Sequence, residues 1–367
     1  MRQPTPPGSP VVVKVGSSSL ALPGGGVDQN GIERTVAQVA WLVEAGYRPV
    51  LVSSGAVAAG LPVLGLTARP GDVQGLQVAA AVGQGRLMER YTRAFDGYGI
   101  VVGQVLLTRD ILGDRHQYLR ARQALSHMLS RRVVPIVNEN DTVVVDELRL
   151  GDNDRLAAIV GHLVNARILV LLTDTAGVYT ADPAGSGEAE LLSAVAHTDA
   201  ILDELFRTGG TGSLGSGGIA TKIAAARMAA WSGIPTVVAE AKAPGAVAGA
   251  VAGEAVGTWI SPHASRLPAR KLWIAFGVPP SGTVTVDAGA VEALVAGGRS
   301  LLPAGIVDVA GSFDSGDAVE VVDPAGDLVA KGLAGLPAHT MRSAVGQHTS
   351  TPGVSVAIHR DDLVILR

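Results

Sequence analysis

No cysteine occurs anywhere in the 367 residues. That excludes disulfides, thiolate metal sites and thiol nucleophiles together. Aromatic residues are scarce at 4%, and lysine is scarcer still, with five against 24 arginines. Each lysine is therefore worth a separate question. No apolar run reaches the ~18 residues that a membrane span needs. The Pro-rich start "MRQPTPPGSP" lacks the apolar segment of a signal peptide. A soluble, cytoplasmic protein with no membrane partner is expected. Formal net charge is −4, which offers no general attraction for nucleic acid. The eight histidines are scattered, with no HExxH or paired spacing, so a catalytic zinc is not expected.

What is present is a chain 47% hydrophobic with 47 glycines, long enough for two domains. Apolar runs at Val11–Gly16, Arg48–Gly55, Ile100–Thr108, Val133–Asn140, Arg167–Asp174 and Ile234–Ala241 read as strands. Helical patterns separate them: from Asp28 to about Ala45, Asp72–Phe95, His116–Ser130, Asn153–Ala166, near Asp199–Phe206, and from Ile219 onward. Strands with little alternation, divided by helices, predict a mostly parallel sheet covered on both faces. Ligands in such sheets gather beyond the strand C-termini. The polar clusters "GSSS", "SSG", "NEND" and "TDTAG" fall there. After Gly257 the character changes to short β-like runs broken by glycines, with one helix expected at Ala288–Ala296. The predicted organisation is a domain over 10–257, a linker over 258–277, and a small β-rich domain, barrel-like, over 278–359. From Ala275 onward, 5 Lys/Arg face 10 Asp/Glu.

Two lysines stand out. Lys14 lies inside a strand, where an unpaired charge is costly. It is either on an edge strand, snorkelling outward, or aimed from the strand end at an anion held by the backbone N–H groups of "GSSS". Lys222 follows "GSGGIAT" at the start of an Ala-rich helix. The spacing is not that of a P-loop. A helix N-terminus carries partial positive charge, and a bare lysine there opposes it. A bound phosphate reverses that balance; the alternative is a glycine loop with a solvent-facing lysine. Asn138, Asn140, Asp141, Asp152, Asn153 and Asp154 form an Asn/Asp-rich cluster. Asp152 is a plausible helix N-cap with Asp154 in the first turn. The cluster can also fix the amine and carboxylate of a small amino acid, with one Asp orienting the lysines or sharing a metal–phosphate shell. Ser54 lacks a G-x-S-x-G context and is not read as an acyl nucleophile.

These motifs together, "VVKVGSSSL", "VSSGAVAAG", "NENDTV", "GDNDRLAA", "LLTDTAGVYTADP" and "GSGGIATK", resemble the glutamate 5-kinase family of the amino-acid kinase superfamily. The C-terminal "SLLPAGIVDVAGSFDSGDAVEV" resembles the PUA domain of its longer members. The resemblance covers almost the whole chain after the Pro-rich start. It departs from the family's GTGGM-x-TK element at Ser216, which keeps a hydroxyl, and Ile219, which keeps an apolar plug.

The resemblance implies a three-layer α/β/α sandwich of amino-acid kinase type with a PUA-like barrel. It implies ATP-dependent phosphorylation of the L-glutamate γ-carboxylate, the first step of proline biosynthesis, with Mg²⁺ on the nucleotide. Lys14 and Lys222 then embrace the transferring phosphoryl group, and Asp154 helps orient the lysines and the substrate. Ser54, Asp141 and Asn153 match the glutamate-binding positions. Thr173, Asp174, Ser216, Gly217, Gly218, Ile219, Ala220, Thr221 and Lys222, with Lys14, match the nucleotide contacts. No protein ligand of the metal is implied. The family forms dimers or tetramers, is commonly inhibited by proline, and passes its product to a glutamyl phosphate reductase. The rival within the superfamily is an N-acetylglutamate kinase or aspartokinase, and the PUA-like tail also raises an RNA-binding reading, against which its acidic balance counts.

Overall fold

The structure is a computed structural model, and it describes residues 2–143, 153–183, 189–208, 218–347 and 355–367. The chain divides into two compact units, Met1–Arg266 and Leu267–Arg367.

The first unit runs β1 (Pro10–Val15), α1 (Gln29–Glu44), β2 (Arg48–Ser53), α2 (Ala56–Gly60), α3 (Val73–Asp96), β3 (Val102–Leu107), α4 (Arg115–Ser130), β4 (Val134–Glu139), α5 (Asn153–Val164), β5 (Ile168–Thr173), β6 (Ala194–Val195), α6 (Ala200–Thr208), α7 (Ile219–Trp231), β7 (Thr236–Glu240), α8 (Ala246–Ala252) and β8 (Thr258–Ile260). Its sheet has the order β3-β4-β2-β1-β5-β7-β8-β6. All neighbours pair in parallel except β7 with β8. The sheet is mostly parallel, as expected, with its one antiparallel pair toward one side.

β1 is central, with β2 and β5 on its two sides. Successive side chains of a strand face opposite ways. Val11, Val13 and Val15 enter a core shared with Ile32, Val36 and Val39 of α1 and Leu87, Tyr91 and Phe95 of α3. Complete burial of such an aliphatic side chain contributes roughly 1.5–3 kcal/mol. The alternate residues, Val12 and Lys14, face the other layer, where α5 packs on β1 and α7 packs on α5. Helix starts are set by side chains: Asp28 accepts from Asn30 N–H at 3.0 Å, and Asp72 from Gly75 N–H at 2.6 Å.

α2 and α3 approach unusually closely. A Cβ on Gly83 would stand 1.8 Å from the Ala56 carbonyl oxygen, and one on Gly60 would stand 2.0 Å from that of Ala79. Gly55, at φ +110°, turns the chain from β2 into α2, a conformation that side chains beyond glycine rarely adopt. An Ala-rich helix is expected after Ser54 and is found as α2; α8, short and rich in Ala and Gly, carries no such signal.

The second unit holds α9 (Ala269–Leu272), β9 (Gly282–Val286), α10 (Ala288–Val295), β10 (Ile306–Gly311), β11 (Ala318–Val322), β12 (Leu328–Leu333), α11 (Ala338–Ser343) and β13 (Leu363–Ile365). The strand order is β10-β9-β11-β12-β13, and the described pairings do not close it into a barrel. The strands wrap a core of Val284, Val286, Leu294, Val319, Val321, Val329 and Met341, among others. Two expected boundaries shift. Thr258–Ile260 pairs within the first unit's sheet rather than serving as linker, and the second unit continues past 359 to β13, which pairs with β12. Of the β-like run "GVSVAIH", expected over 353–359, the described residues make only an isolated bridge, from Ile358 to Leu301. Among the described residues no helix is long and apolar enough to cross a membrane.

Candidate active site

The C-terminal ends of β1, β2, β4 and β5 bring the polar clusters to one edge of the sheet. Lys14 sits opposite Val52 and Leu171 in the register. It is on a central strand and only 3% exposed, so the edge-strand reading falls. Its ammonium is 2.6 Å from Oδ1 of Asp154, in the first turn of α5. Lys222, 8% exposed, reaches Oδ2 of the same carboxylate at 3.5 Å. The solvent-facing reading of Lys222 falls with it. Thr221 donates its hydroxyl to Oδ2 at 2.7 Å.

Burial alone would raise the Asp154 carboxyl. The ammonium groups of Lys14 and Lys222 and the hydrogen bonds from Lys14 and Thr221 outweigh it and bring the pKa from 3.8 to about 2. Asp154 is therefore ionised at any physiological pH. It cannot shuttle protons; it holds two cations at one place. The local sum of one carboxylate and two ammoniums is positive, which suits an anion.

The space beside Lys14 is kept open by Gly16, where a Cβ would lie 3.5 Å from the ammonium nitrogen. Ser17–Ser19 follow as a single 3₁₀ turn. Across the site, Gly218 is the N-cap of α7 and brings no side chain to its first N–H groups. Ile219, Ala220 and Thr221 occupy that first turn and are half-buried. The helix start thus points free N–H groups and partial positive charge toward the lysines' end of the site. Ser216 and Gly217 lie outside the described residues, as does the expected cap Asp152. Thr173 ends β5 beside β1 and donates its hydroxyl to Asp174 at 3.0 Å; Thr173 is buried and Asp174 exposed.

A second, neutral group adjoins the charged one. The Asn153 amide nitrogen donates to Ser54 Oγ at 3.0 Å and to Asn138 Oδ1 at 2.9 Å. Asn138 donates in turn to Gln84 Oε1 at 2.8 Å. Among the described residues Asn153 Oδ1 is buried with no hydrogen-bond partner, an acceptor awaiting a donor. Asp141 is half-buried on the one-turn helix Asp141–Val143 just beyond β4, against α3. Beneath Ser54, Ser53 Oγ donates to the Ser54 carbonyl oxygen at 2.9 Å and so accepts from Tyr91, whose hydroxyl is 2.8 Å away. Burial pushes the Tyr91 phenol well above its ordinary range, so it remains a donor.

Gln84 and Tyr91 escaped the sequence reading because they lie within a helix, away from the strand-end clusters. One signal was available: Gln84 follows Gly83 in mid-helix, and a glycine there marks a close approach. Thr221, expected at the nucleotide, has its hydroxyl 2.7 Å from Asp154 Oδ2 and 2.9 Å from the Gly218 carbonyl oxygen.

The amino acid kinase family profile matches residues 9–240, and the PUA domain profile matches residues 282–352. The chain is 45% identical over 364 residues to the glutamate 5-kinase of Moorella thermoacetica, covering 97% of this chain and 96% of that one. The chain belongs to the glutamate 5-kinases of the amino acid kinase family. Another member, from Frankia casuarinae, is 47% identical over 364 residues, covering 97% and 96% of the two chains. A third glutamate 5-kinase, from a Marinomonas species, is 43% identical over 373 residues and spans both chains completely. The family likeness thus extends over both units, PUA domain included.

Proposed function

We propose that the chain transfers the γ-phosphoryl group of ATP to the γ-carboxylate of L-glutamate, giving glutamyl 5-phosphate, the first step of proline biosynthesis. The observation that carries this reading is the Lys14–Asp154–Lys222 arrangement, in a chain whose relatives are glutamate 5-kinases. A carboxylate of ordinary pKa, about 4.3, is already ionised at pH 7 and needs no general base. Its oxygen forms a bond to phosphorus while the bond to the ADP oxygen breaks, and the negative charge passes to ADP. Positioning and charge neutralisation then supply the rate. Lys14 and Lys222 neutralise the transferred oxygens, and Asp154 keeps both ammoniums in place. The first turn of α7, from Gly218 through Ile219 and Ala220, receives the phosphates, with Thr173 and Asp174 on the nucleotide's side. Ser54 and Asn153, with Asp141, hold glutamate, and the unpaired Asn153 Oδ1 accepts from the α-ammonium.

The residues fit magnesium carried on the nucleotide. Among the described residues no three carboxylates or histidines converge on a point, and both Asp154 oxygens are engaged by Lys14, Lys222 and Thr221. When bound, the ion would neutralise phosphate charge. Proline, which shares the α-amino acid end of glutamate, would compete for the same pocket. The test is incubation of the purified chain with Mg-ATP and L-glutamate, with hydroxylamine trapping the acyl phosphate as the hydroxamate. Hydroxamate with L-glutamate and little with N-acetylglutamate supports the reading. Equal yields from both, or none from either, overturn it.

A further inference from the structure

The amides near Ser54 have a fixed polarity, and one backbone group sets it. The Glu139 N–H donates to Asn138 Oδ1 at 2.9 Å. An N–H can only donate, so the Asn138 oxygen must face it, and the Asn138 nitrogen must face the other way. There it meets Gln84 Oε1 at 2.8 Å. The second lone pair of Asn138 Oδ1 takes the Asn153 nitrogen at 2.9 Å, whose other proton goes to Ser54 Oγ at 3.0 Å. Asn153 has no choice left: its oxygen is presented as an acceptor. At the ends of this chain of bonds Asn153 Oδ1 and Gln84 Nε2 are buried with no partner among the described residues.

We propose that Gln84 is a positioning residue for the amino-acid substrate, acting through Asn138 to hold the Asn153 carbonyl toward the substrate's ammonium. This rests on the glutamate-kinase reading above. The working part of Gln84 is its acceptor oxygen, because its nitrogen has no hydrogen-bond partner among the described residues. Without that oxygen, Asn138 is held on one side only. Its amide swings or draws in water, and the Asn153 amide loosens with it. The cost falls on glutamate binding. The charged group of Lys14, Asp154 and Lys222 is untouched, so ATP binding and the chemical step are spared.

Two substitutions separate this from a packing role. Gln84→Met keeps length and bulk but removes the acceptor. Gln84→Glu keeps an acceptor for Asn138, removes the unpartnered donor and brings a negative charge in its place. Steady-state kinetics and thermal melts are measured on both, after wild-type turnover is established. The expected result for Gln84→Met is a glutamate KM raised about tenfold, the equivalent of one ~1.4 kcal/mol hydrogen bond. The ATP KM and kcat should stay within about twofold. Gln84→Glu should return the glutamate KM to within about threefold of wild type. An unmoved glutamate KM in Gln84→Met, a parallel rise of both KM values, or a Gln84→Glu enzyme as poor as Gln84→Met overturns the proposal. If Gln84→Met does not fold, Gln84→Asn, one methylene too short to reach Asn138, takes its place with the same expectations. Absence of wild-type turnover strikes the kinase reading itself; normal turnover with an unmoved KM strikes only the role of Gln84.

Discussion

Lys14 and Asp154 form a 2.6 Å ion pair whose side chains are 4% and 1% exposed. A central strand and a helix N-terminus meet there in an ion pair. Asp154→Asn keeps the shape and removes the charge. It leaves two ammoniums facing one another in a buried site. Breaking a buried pair by removing one partner typically costs about 3–5 kcal/mol. At ~2–4 °C per kcal/mol for a unit of this size, the melting temperature should fall by at least ~6 °C. Turnover should fall ~10²-fold or more, since both lysines lose their fixed place. A variant with wild-type melting and turnover would show that Asp154 neither balances nor places the lysines.

Lys222 is the second partner of that carboxylate, and its removal has a different signature. Asp154 still keeps Lys14 and Thr221, so Lys222→Met should melt within a few degrees of wild type. Its loss should be felt when charge develops on the transferred phosphoryl oxygens, lowering kcat ~10²-fold with little change in the glutamate KM. Lys222→Arg should also be slow, because a broad planar fork cannot replace a compact point charge in a packed site. Near wild-type kcat for Lys222→Met at saturating substrates would remove this lysine from the chemistry.

The lysines, Asp154 and Asn153 were legible in the sequence because charge and amide groups at strand and helix ends have few structural reasons to be there. Lys14 is the clearest case: its neighbours Val13 and Val15 demanded a buried strand, and the charge demanded a partner. Its partner, Asp154, was implied only by the family resemblance, since the α5 register over β1 is a tertiary fact. The parallel core was readable from its unbroken valine and leucine runs. The antiparallel β8 was not: "TWI" is too short to carry a pattern, and only its pairing with β7 defines it. Gln84 and Tyr91 act from inside a helix, and helical periodicity sees them as ordinary residues of an amphipathic face.

A pH prediction comes from the far side of α5. His162 is buried, with its carbonyl oxygen accepting from Arg266 at 3.1 Å. Burial first, then the charges of Arg266 and Arg122, lower its pKa from 6.5 to about 4. Above pH 6.5 the ring is neutral folded or unfolded, and its contribution is complete. As pH falls from 6.5 to about 4, the unfolded chain takes up a proton that the folded one refuses, and stability is lost, by up to about 3 kcal/mol. Asp154 adds its own loss only below 3.8, down to about 2. Melting curves of wild type and His162→Gln should therefore converge between pH 7 and pH 4.5. Curves that stay parallel across that range would show that His162 is not held neutral.

The closest helix contact yields the last prediction, a pair of opposite outcomes on one helix. Gly83→Ala puts a methyl group 1.8 Å from the Ala56 carbonyl oxygen and 2.5 Å from the Gly60 nitrogen. Both are backbone atoms, so no side chain can turn aside. α2 must move off α3, and α2 follows directly on Ser54 and Gly55, while α3 carries Gln84 next to the substitution. Overpacking of this kind costs about 3 kcal/mol, or a fall of ~6–12 °C in melting temperature. The displaced Ser54 and Gln84 should raise the glutamate KM more than the ATP KM. Two residues on, Gly85 is exposed in the same helix, and a Cβ there meets nothing within 4 Å. Gly85→Ala should raise stability by about 0.5–1 kcal/mol through the lower conformational entropy of the unfolded chain. Thermal melts of the two variants decide the matter: Gly83→Ala melting at or above the wild-type temperature would mean that α2 and α3 are not locked together, and that Ser54 is held by something other than their contact.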